Sequence, residues 1–189
     1  MNTDNYRWAI LGMAYVCQLS FALVFQSIPP VLRLIVTQLG ISHAQAGLLM
    51  SLFALPGVLL SIPTGLICDR YGAKKVGLVS LNLMILGTSV LGLSNDFVLM
   101  ALARAVTGTG AVMLTVILPQ LISRWFIRKE LGTGMGIFNT AMPLGTIMSF
   151  NILSIIGAAL GWRASIFLTT AACAGGLLIF LLLFRNPEP

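Results

Sequence analysis

Long apolar runs alternate with short polar connections along almost the whole chain. Six runs are long enough to cross a bilayer, since a helix needs about 20 apolar residues to span the hydrocarbon core. The runs do not alternate as barrel strands would, and backbone groups in lipid must be satisfied within a segment. The pattern therefore predicts an all-α membrane protein. The six predicted spans are residues 8–33, 44–67, 75–94, 97–122, 131–157 and 163–184.

The connections between these spans are short, so successive helices are expected to be antiparallel neighbours in a single bundle over residues 1–189. The expected outer connections are residues 34–43, 95–96 and 160–162. Proline removes a backbone donor and tends to kink a helix. The prolines within or at the ends of spans are therefore expected to help the helices curve around a cavity.

Composition supports a membrane location. Hydrophobic residues make up 58% of the chain and charged residues only 8%, whereas a soluble domain carries about a quarter charged residues. The net charge is +6, but the basic residues are scattered between apolar runs and form no continuous face. A nucleic-acid partner is therefore excluded, and the lipid bilayer is the expected surrounding.

The distribution of Lys and Arg predicts the orientation of the bundle. With a cytoplasmic N-terminus, eight of them lie inside and only Arg33 and Arg163 lie outside, while Arg104 lies within a span. This positive-inside bias predicts that both termini are cytoplasmic. The expected location is a prokaryotic plasma (inner) membrane. The eight inside residues are Arg7, Arg70, Lys74, Lys75, Arg124, Arg128, Lys129 and Arg185.

The sequence offers no constellation typical of an enzyme. The three cysteines are not spaced as metal ligands, and we expect no disulfide between them; they are Cys17, Cys68 and Cys173. The single histidine has no other candidate ligand near it in the sequence. There is no Ser/His/Asp set and no phosphate-binding loop. We therefore expect neither catalysis nor a cofactor or metal.

A glycine-bearing charged turn, Gly65-Leu66-Ile67-Cys68-Asp69-Arg70-Tyr71-Gly72-Ala73-Lys74-Lys75, separates the second and third spans. It resembles, at every defined position, the Gly-x3-Asp-Arg/Lys-x-Gly-x-Arg/Lys-Arg/Lys loop of the major facilitator superfamily of secondary transporters. The matching residues are Gly65, Asp69, Arg70, Gly72, Lys74 and Lys75.

Three later segments extend the resemblance. They are Arg104-x3-Gly108-x-Gly110, Arg124-Trp125-Phe126 and Gly161-Trp162-Arg163. Together with the loop they cover the chain, and they match the N-terminal six helices of a twelve-helix architecture. The resemblance implies a fold of two inverted three-helix repeats. A shared spacing from Gly47 to Pro56 and from Gly134 to Pro143 agrees with such a repeat.

The resemblance also implies a gating role for the charged loop. In the family this aspartate, here Asp69, faces a helix N-terminus of the opposite half, where free N–H groups favour an anion. Arg70 secures the contact, which closes the cytoplasmic side. The alternative is a solvated loop that merely follows the positive-inside rule, above all for Lys74 and Lys75.

Arg104 lies about seven residues from the outer end of its span, roughly 10 Å deep at about 1.5 Å per residue. A buried arginine is costly, so it must face a cavity or a partner. The spans contain no acid to neutralise it, whereas Gln18 and Gln26 lie on one face of the first span with Tyr15. Two interpretations remain: a structural Arg104–Gln26 hydrogen bond, or an arginine that draws an anionic solute into a cavity.

The fifth span adds Asn139 and Thr146, which could line the same cavity, although a threonine in a membrane helix often bonds its own backbone. The spans hold no carboxylate, which disfavours carboxylate-based proton coupling in this half and leaves uniport, anion exchange or coupling through a partner.

The leading hypothesis is a secondary transporter half that moves a small polar or anionic solute by alternating access. Its second six-helix half would be another copy or a separate chain. The alternatives are a non-transporting assembly or regulatory protein and a truncated fragment of a twelve-helix transporter.

Overall fold

The computed structural model describes residues 3–126 and 128–185, and within them every regular element is helical. Six helical runs are long and apolar enough to cross a membrane, which confirms the predicted number of spans. The helices are α1 (Thr3–Phe25), α2 (Leu32–Leu39), α3 (His43–Tyr71), α4 (Ala73–Leu93), α5 (Phe97–Trp125), α6 (Arg128–Met148), α7 (Ser154–Leu160) and α8 (Trp162–Leu183).

The first span is broken near its outer end, where a 3-10 turn at Pro29–Val31 separates α1 from α2. Proline cannot donate to the preceding helix but fits the first turn of the next one, so the chain stops and resumes. The expected outer connection at 34–43 is therefore wrong, because α2 occupies most of it. Only residues 40–42 connect α2 to α3, and Gly40 closes α2 with a left-handed φ of 64°.

The fifth span is also divided. A π-helical segment, Ser149–Leu153, joins α6 to α7. The Ser149 hydroxyl donates to the Gln26 carbonyl at 2.8 Å, in the break of the first span. The break in the first span and the π-helical segment of the fifth span therefore lie at the same level, and this hydrogen bond joins them.

The other two outer connections have nearly the lengths predicted from the sequence. Residues 94–96 link α4 to α5, and the Asp96 side chain accepts from the Leu99 N–H at the start of α5. Gly161 alone separates α7 from α8. Such short connections keep consecutive spans antiparallel and adjacent.

Helix α5 is central to the bundle, since it packs on α4, α3 and α1, while α1 also packs on α6 and α8. Glycine permits the closest of these approaches. A Cβ at Gly108 would lie 2.1 Å from the Phe53 carbonyl oxygen in α3, and one at Gly110 would lie 2.5 Å from the Ser80 carbonyl oxygen in α4. The outward faces of α3 and α6 stay largely uncovered, as the 81% exposure of Val58 illustrates.

Candidate functional site

The charged loop lies where α3 ends and α4 begins. Gly72 joins the two helices with φ +83°, a conformation that side chains with a Cβ rarely adopt, so this position requires glycine. A single joining residue fixes the end of α3 beside the start of α4. The sequence motif thus produces a tight corner between the second and third spans.

Asp69 is held from within its own chain. Its Oδ1 accepts a hydrogen bond from Gln120 Nε2 at 3.2 Å and lies 3.6 Å from Arg124 Nη2, both on α5. The Asp69 side chain is nevertheless 62% exposed, so its second oxygen is accessible to a further donor. Gln120 and Arg124 were not predicted as partners. Arg124 lies in the Arg124-Trp125-Phe126 segment that resembles the family, so the sequence drew attention to it. Nothing in the sequence pointed to Gln120.

The other loop residues project outward. The Arg70 guanidinium lies 5.6 Å from the centre of the neighbouring Tyr71 ring. Lys74 and Lys75 are exposed, and over residues 3–126 and 128–185 neither makes an ion pair. Gly65 has open space where a Cβ would lie.

Arg104 is almost completely buried, at 1% exposure. Its Nε donates to the Leu49 carbonyl of α3 at 3.1 Å. Its Nη1 donates to the Val24 carbonyl at 3.4 Å and to Ser27 Oγ at 3.3 Å, at the break of the first span. The guanidinium also lies 4.5 Å from the centre of the Phe53 ring. Arg104 therefore joins three spans and has protein partners for its charge.

The predicted hydrogen bond between Arg104 and Gln26 is not among those that the described residues form. Helix α1 ends at Phe25, and the chain then turns, which brings Ser27 rather than Gln26 to the guanidinium. The Val24 carbonyl at this break accepts from both the Ser27 N–H, at 3.2 Å, and the arginine. In this conformation the substrate role of Arg104 would require it to leave these contacts.

The polar residues of the first span, Tyr15 and Gln18 on α1 and Gln26 just beyond its end, are all partly exposed. The Tyr15 hydroxyl lies 3.2 Å from Thr140 Oγ1 of α6 and can donate or accept. Gln18 Oε1 has no partner among the described residues. Thr140 was missed in the sequence, although its neighbour Asn139 was singled out.

The two polar residues predicted on the fifth span differ in their surroundings. Asn139 is exposed on α6. The Thr146 hydroxyl donates to its own helix, at the Met142 carbonyl, over 3.0 Å, as threonines in membrane helices often do. Beside Tyr15, the α1–α6 seam forms an open groove of about 420 Å³ with mainly apolar walls. Its lining residues are Trp8, Leu11, Gly12, Tyr15, Val16 and Ile137.

Comparison with known proteins decides the family. The sequence model of the Major Facilitator Superfamily matches residues 14–189. The chain belongs to this superfamily. The resemblance inferred from the charged loop is thereby confirmed, and the six apolar helices belong to an integral, multi-pass membrane protein.

Curated relatives of this superfamily member are transporters by name. A probable L-galactonate transporter of Escherichia coli K12 is 30% identical over 152 residues, which cover 80% of this chain and 33% of that protein. The hexuronate transporter of Bacillus subtilis is 28% identical over 127 residues, covering 67% and 30%. The chain thus spans about a third of the length of these relatives.

A solved structure confirms the fold. A bacterial homologue of the human lysosomal transporter Spinster, in an inward-facing and unoccupied conformation, superposes with a TM-score of 0.86 at 20% identity. The match covers 97% of this chain and 44% of that protein, as expected for the six-helix half of a major-facilitator fold.

Proposed function

We propose that this chain forms one half of a secondary transporter that moves a small organic anion across the membrane by alternating access. The observation that carries the proposal is the partly exposed polar row of the first span, with Tyr15 and Gln18 on α1, Gln26 just beyond it, and Tyr15 in contact with α6. The names of the galactonate and hexuronate relatives support an acidic sugar as the solute.

The chemistry of this face suits a polyhydroxylated solute. A glutamine amide and a tyrosine hydroxyl can both donate and accept hydrogen bonds. These groups can therefore donate to a sugar hydroxyl or accept from it. Gln18 Oε1 is buried without a partner among the described residues, and it would accept from such a hydroxyl once the helices around it separate during the transport cycle. Asn139 and Thr146 of α6 would extend the same surface.

Arg104 would supply the charge preference of the cavity. Its guanidinium is bonded at the break of the first span, next to Gln26. A carboxylate that reaches this level would compete with neutral acceptors for an arginine, and charge-assisted hydrogen bonds are roughly twice as strong as neutral ones. We therefore retain Arg104 as a candidate anion-binding residue that changes partners during the transport cycle.

A second six-helix half, either another copy or a separate chain, would complete the cavity. The uncovered faces of α3 and α6 are apolar enough to receive it, with Leu59 68% exposed and Ile147 61% exposed. The exposed carboxylate of Asp69 would close the cytoplasmic side against a helix N-terminus of that half. The Lys and Arg distribution supports cytoplasmic termini. The relatives from Escherichia coli and Bacillus subtilis support a prokaryotic plasma (inner) membrane.

Reconstitution into liposomes tests this function. We expect uptake of radiolabelled glucuronate or galactonate above protein-free liposomes, and no uptake of neutral galactose. Gln18→Leu should lower the apparent affinity about two- to tenfold, since one hydrogen bond contributes about 0.5–1.5 kcal/mol. Gln38→Leu, at an exposed glutamine of α2, is the matched control and should have no effect. A folded protein that neither binds nor carries either acid would contradict the proposal.

The second candidate is a non-transporting membrane protein that uses the bundle for assembly or regulation, or a fragment of a longer transporter. It is favoured by the internal contacts of Asp69 with Gln120 and Arg124, which need no second half. The same uptake measurement distinguishes it, because a scaffold would fold and insert without carrying any solute.

A further inference from the structure

Asn82 lies in an unusual position for an amide. It is one residue from the midpoint of the 21-residue helix α4, and at about 1.5 Å per residue this helix matches the hydrocarbon thickness of about 30 Å. Asn82 is exposed, on a face of α4 where Val79 and Leu86 are also exposed. This face points away from α5 and α8, the two helices on which α4 mainly packs.

The hydrogen-bonding capacity of Asn82 is only partly used. Its Nδ2 donates to the Leu78 carbonyl of its own helix at 2.8 Å. The amide can make three further hydrogen bonds, and the described residues provide none of them. Neither water nor an acyl chain offers a partner at the bilayer centre, so the remaining groups are costly unless a protein supplies one.

The surroundings of Asn82 form a shallow apolar groove of about 440 Å³. It is lined by Leu78, Val79, Asn82, Leu83 and Leu86. A primary amide is its own complement, since each one offers both donors and an acceptor. A two-fold axis along the membrane normal would place the same residue of a second copy opposite it at the same depth.

We propose that a second copy of this chain packs on the outer face of α4, with the two Asn82 amides exchanging hydrogen bonds inside an apolar seam. Asparagine side chains hydrogen-bond across membrane helices in this way and stabilise their association. This surface differs from the uncovered faces of α3 and α6, which are assigned above to the second half. It therefore does not depend on the transport function.

Crosslinking in liposomes tests the interface directly. The full chain, with its cysteines replaced and Val79→Cys introduced, is reconstituted in phosphatidylethanolamine and phosphatidylglycerol over a range of lipid-to-protein ratios. We expect a dimer crosslinked through position 79, whose fraction falls as the lipid excess rises. The variant Val58→Cys on α3 distinguishes this dimer from the pairing of transporter halves, because Val58 lies on the exposed face assigned above to the second half.

Substitution of the amide supplies the decisive comparison. Asn82→Leu should lower the dimer association constant about three- to tenfold, and Asn82→Gln should largely preserve it, as expected for a hydrogen bond between membrane helices. Asn151→Leu is the matched control, because Asn151 is exposed and also donates to its own helix, at the Ile147 carbonyl, over 2.8 Å. A monomer at every lipid ratio, or a dimer unaffected by Asn82→Leu, would overturn the proposal.

Discussion

Replacement of Arg104 by lysine separates a structural role of this side chain from a role in solute binding. Lysine keeps the positive charge but lacks Nε and the flat guanidinium surface. It would therefore lose the bond to the Leu49 carbonyl and the stacking over Phe53, while its ammonium can still reach the acceptors at the break of the first span.

The magnitude follows from these two losses. A hydrogen bond between membrane helices contributes about 0.6 kcal/mol on average and up to about 1.7. A desolvated cation–π contact contributes about 2 kcal/mol, and a lysine ammonium can keep part of it. Arg104→Lys should therefore lower the free energy of unfolding by about 1–3 kcal/mol, measured by equilibrium unfolding in mixed micelles without any solute. Arg33→Lys, at an exposed arginine of α2, should change it by less than about 0.5 kcal/mol.

Uptake measured on the same variants completes the experiment. Arg104→Lys should retain part of the anion uptake, and Arg104→Gln should lose most of it while the protein still inserts and folds. The structural reasoning is refuted if Arg104→Lys unfolds with the free energy of the wild type. Unchanged uptake by Arg104→Gln would instead rule out the role in solute binding.

Three further predictions follow from the fold. A cysteine at Asn95, in the connection between α4 and α5, should react with a membrane-impermeant reagent from outside only; reaction from the cytoplasmic side alone would reverse the topology. Gly108→Ala should destabilise the bundle by about 1–3 kcal/mol, because its Cβ would overlap a backbone carbonyl of α3, whereas Gly132→Ala has open space and should be neutral in the same unfolding assay. If two copies pair as transporter halves, Asp69→Cys and Thr133→Cys on different copies should crosslink, and a stable, active monomer without this crosslink would argue against that pairing.

The sequence predicted the spans because a bilayer imposes a simple length and polarity rule on every helix. It failed at the outer end of the first span: residues 34–43 were expected to be a connection, but the span breaks at Pro29 and Pro30 and α2 follows them. Proline ends one helix and suits the start of the next, so the same residues permit α2. The π-helical segment at Ser149 had no sequence signal, and its contact with the Gln26 carbonyl joins residues 123 positions apart.

The candidate site was predictable in its residue types but not in its contacts. Asp69 was found from the loop motif, whereas its partner Gln120 lies 51 positions away and becomes a neighbour only through helix packing. Arg104 was correctly predicted to need a partner. The choice of Ser27 and two carbonyls instead of Gln26 depended on where α1 ends, which hydrophobicity alone does not determine.

The acceptors of Arg104 also bear on how the protein is made. Two of them are main-chain carbonyls, at Val24 and Leu49, which a residue of any type supplies. Both belong to segments that leave the ribosome before α5 does. When the arginine enters the membrane, its partners are already there, so the insertion cost of about 2.5–3.5 kcal/mol can be offset as the helix arrives. Substitutions of the side chains at positions 24 and 49 would keep both carbonyl acceptors of Arg104, provided that Gly108 still allows the backbone of α3 to lie close to α5.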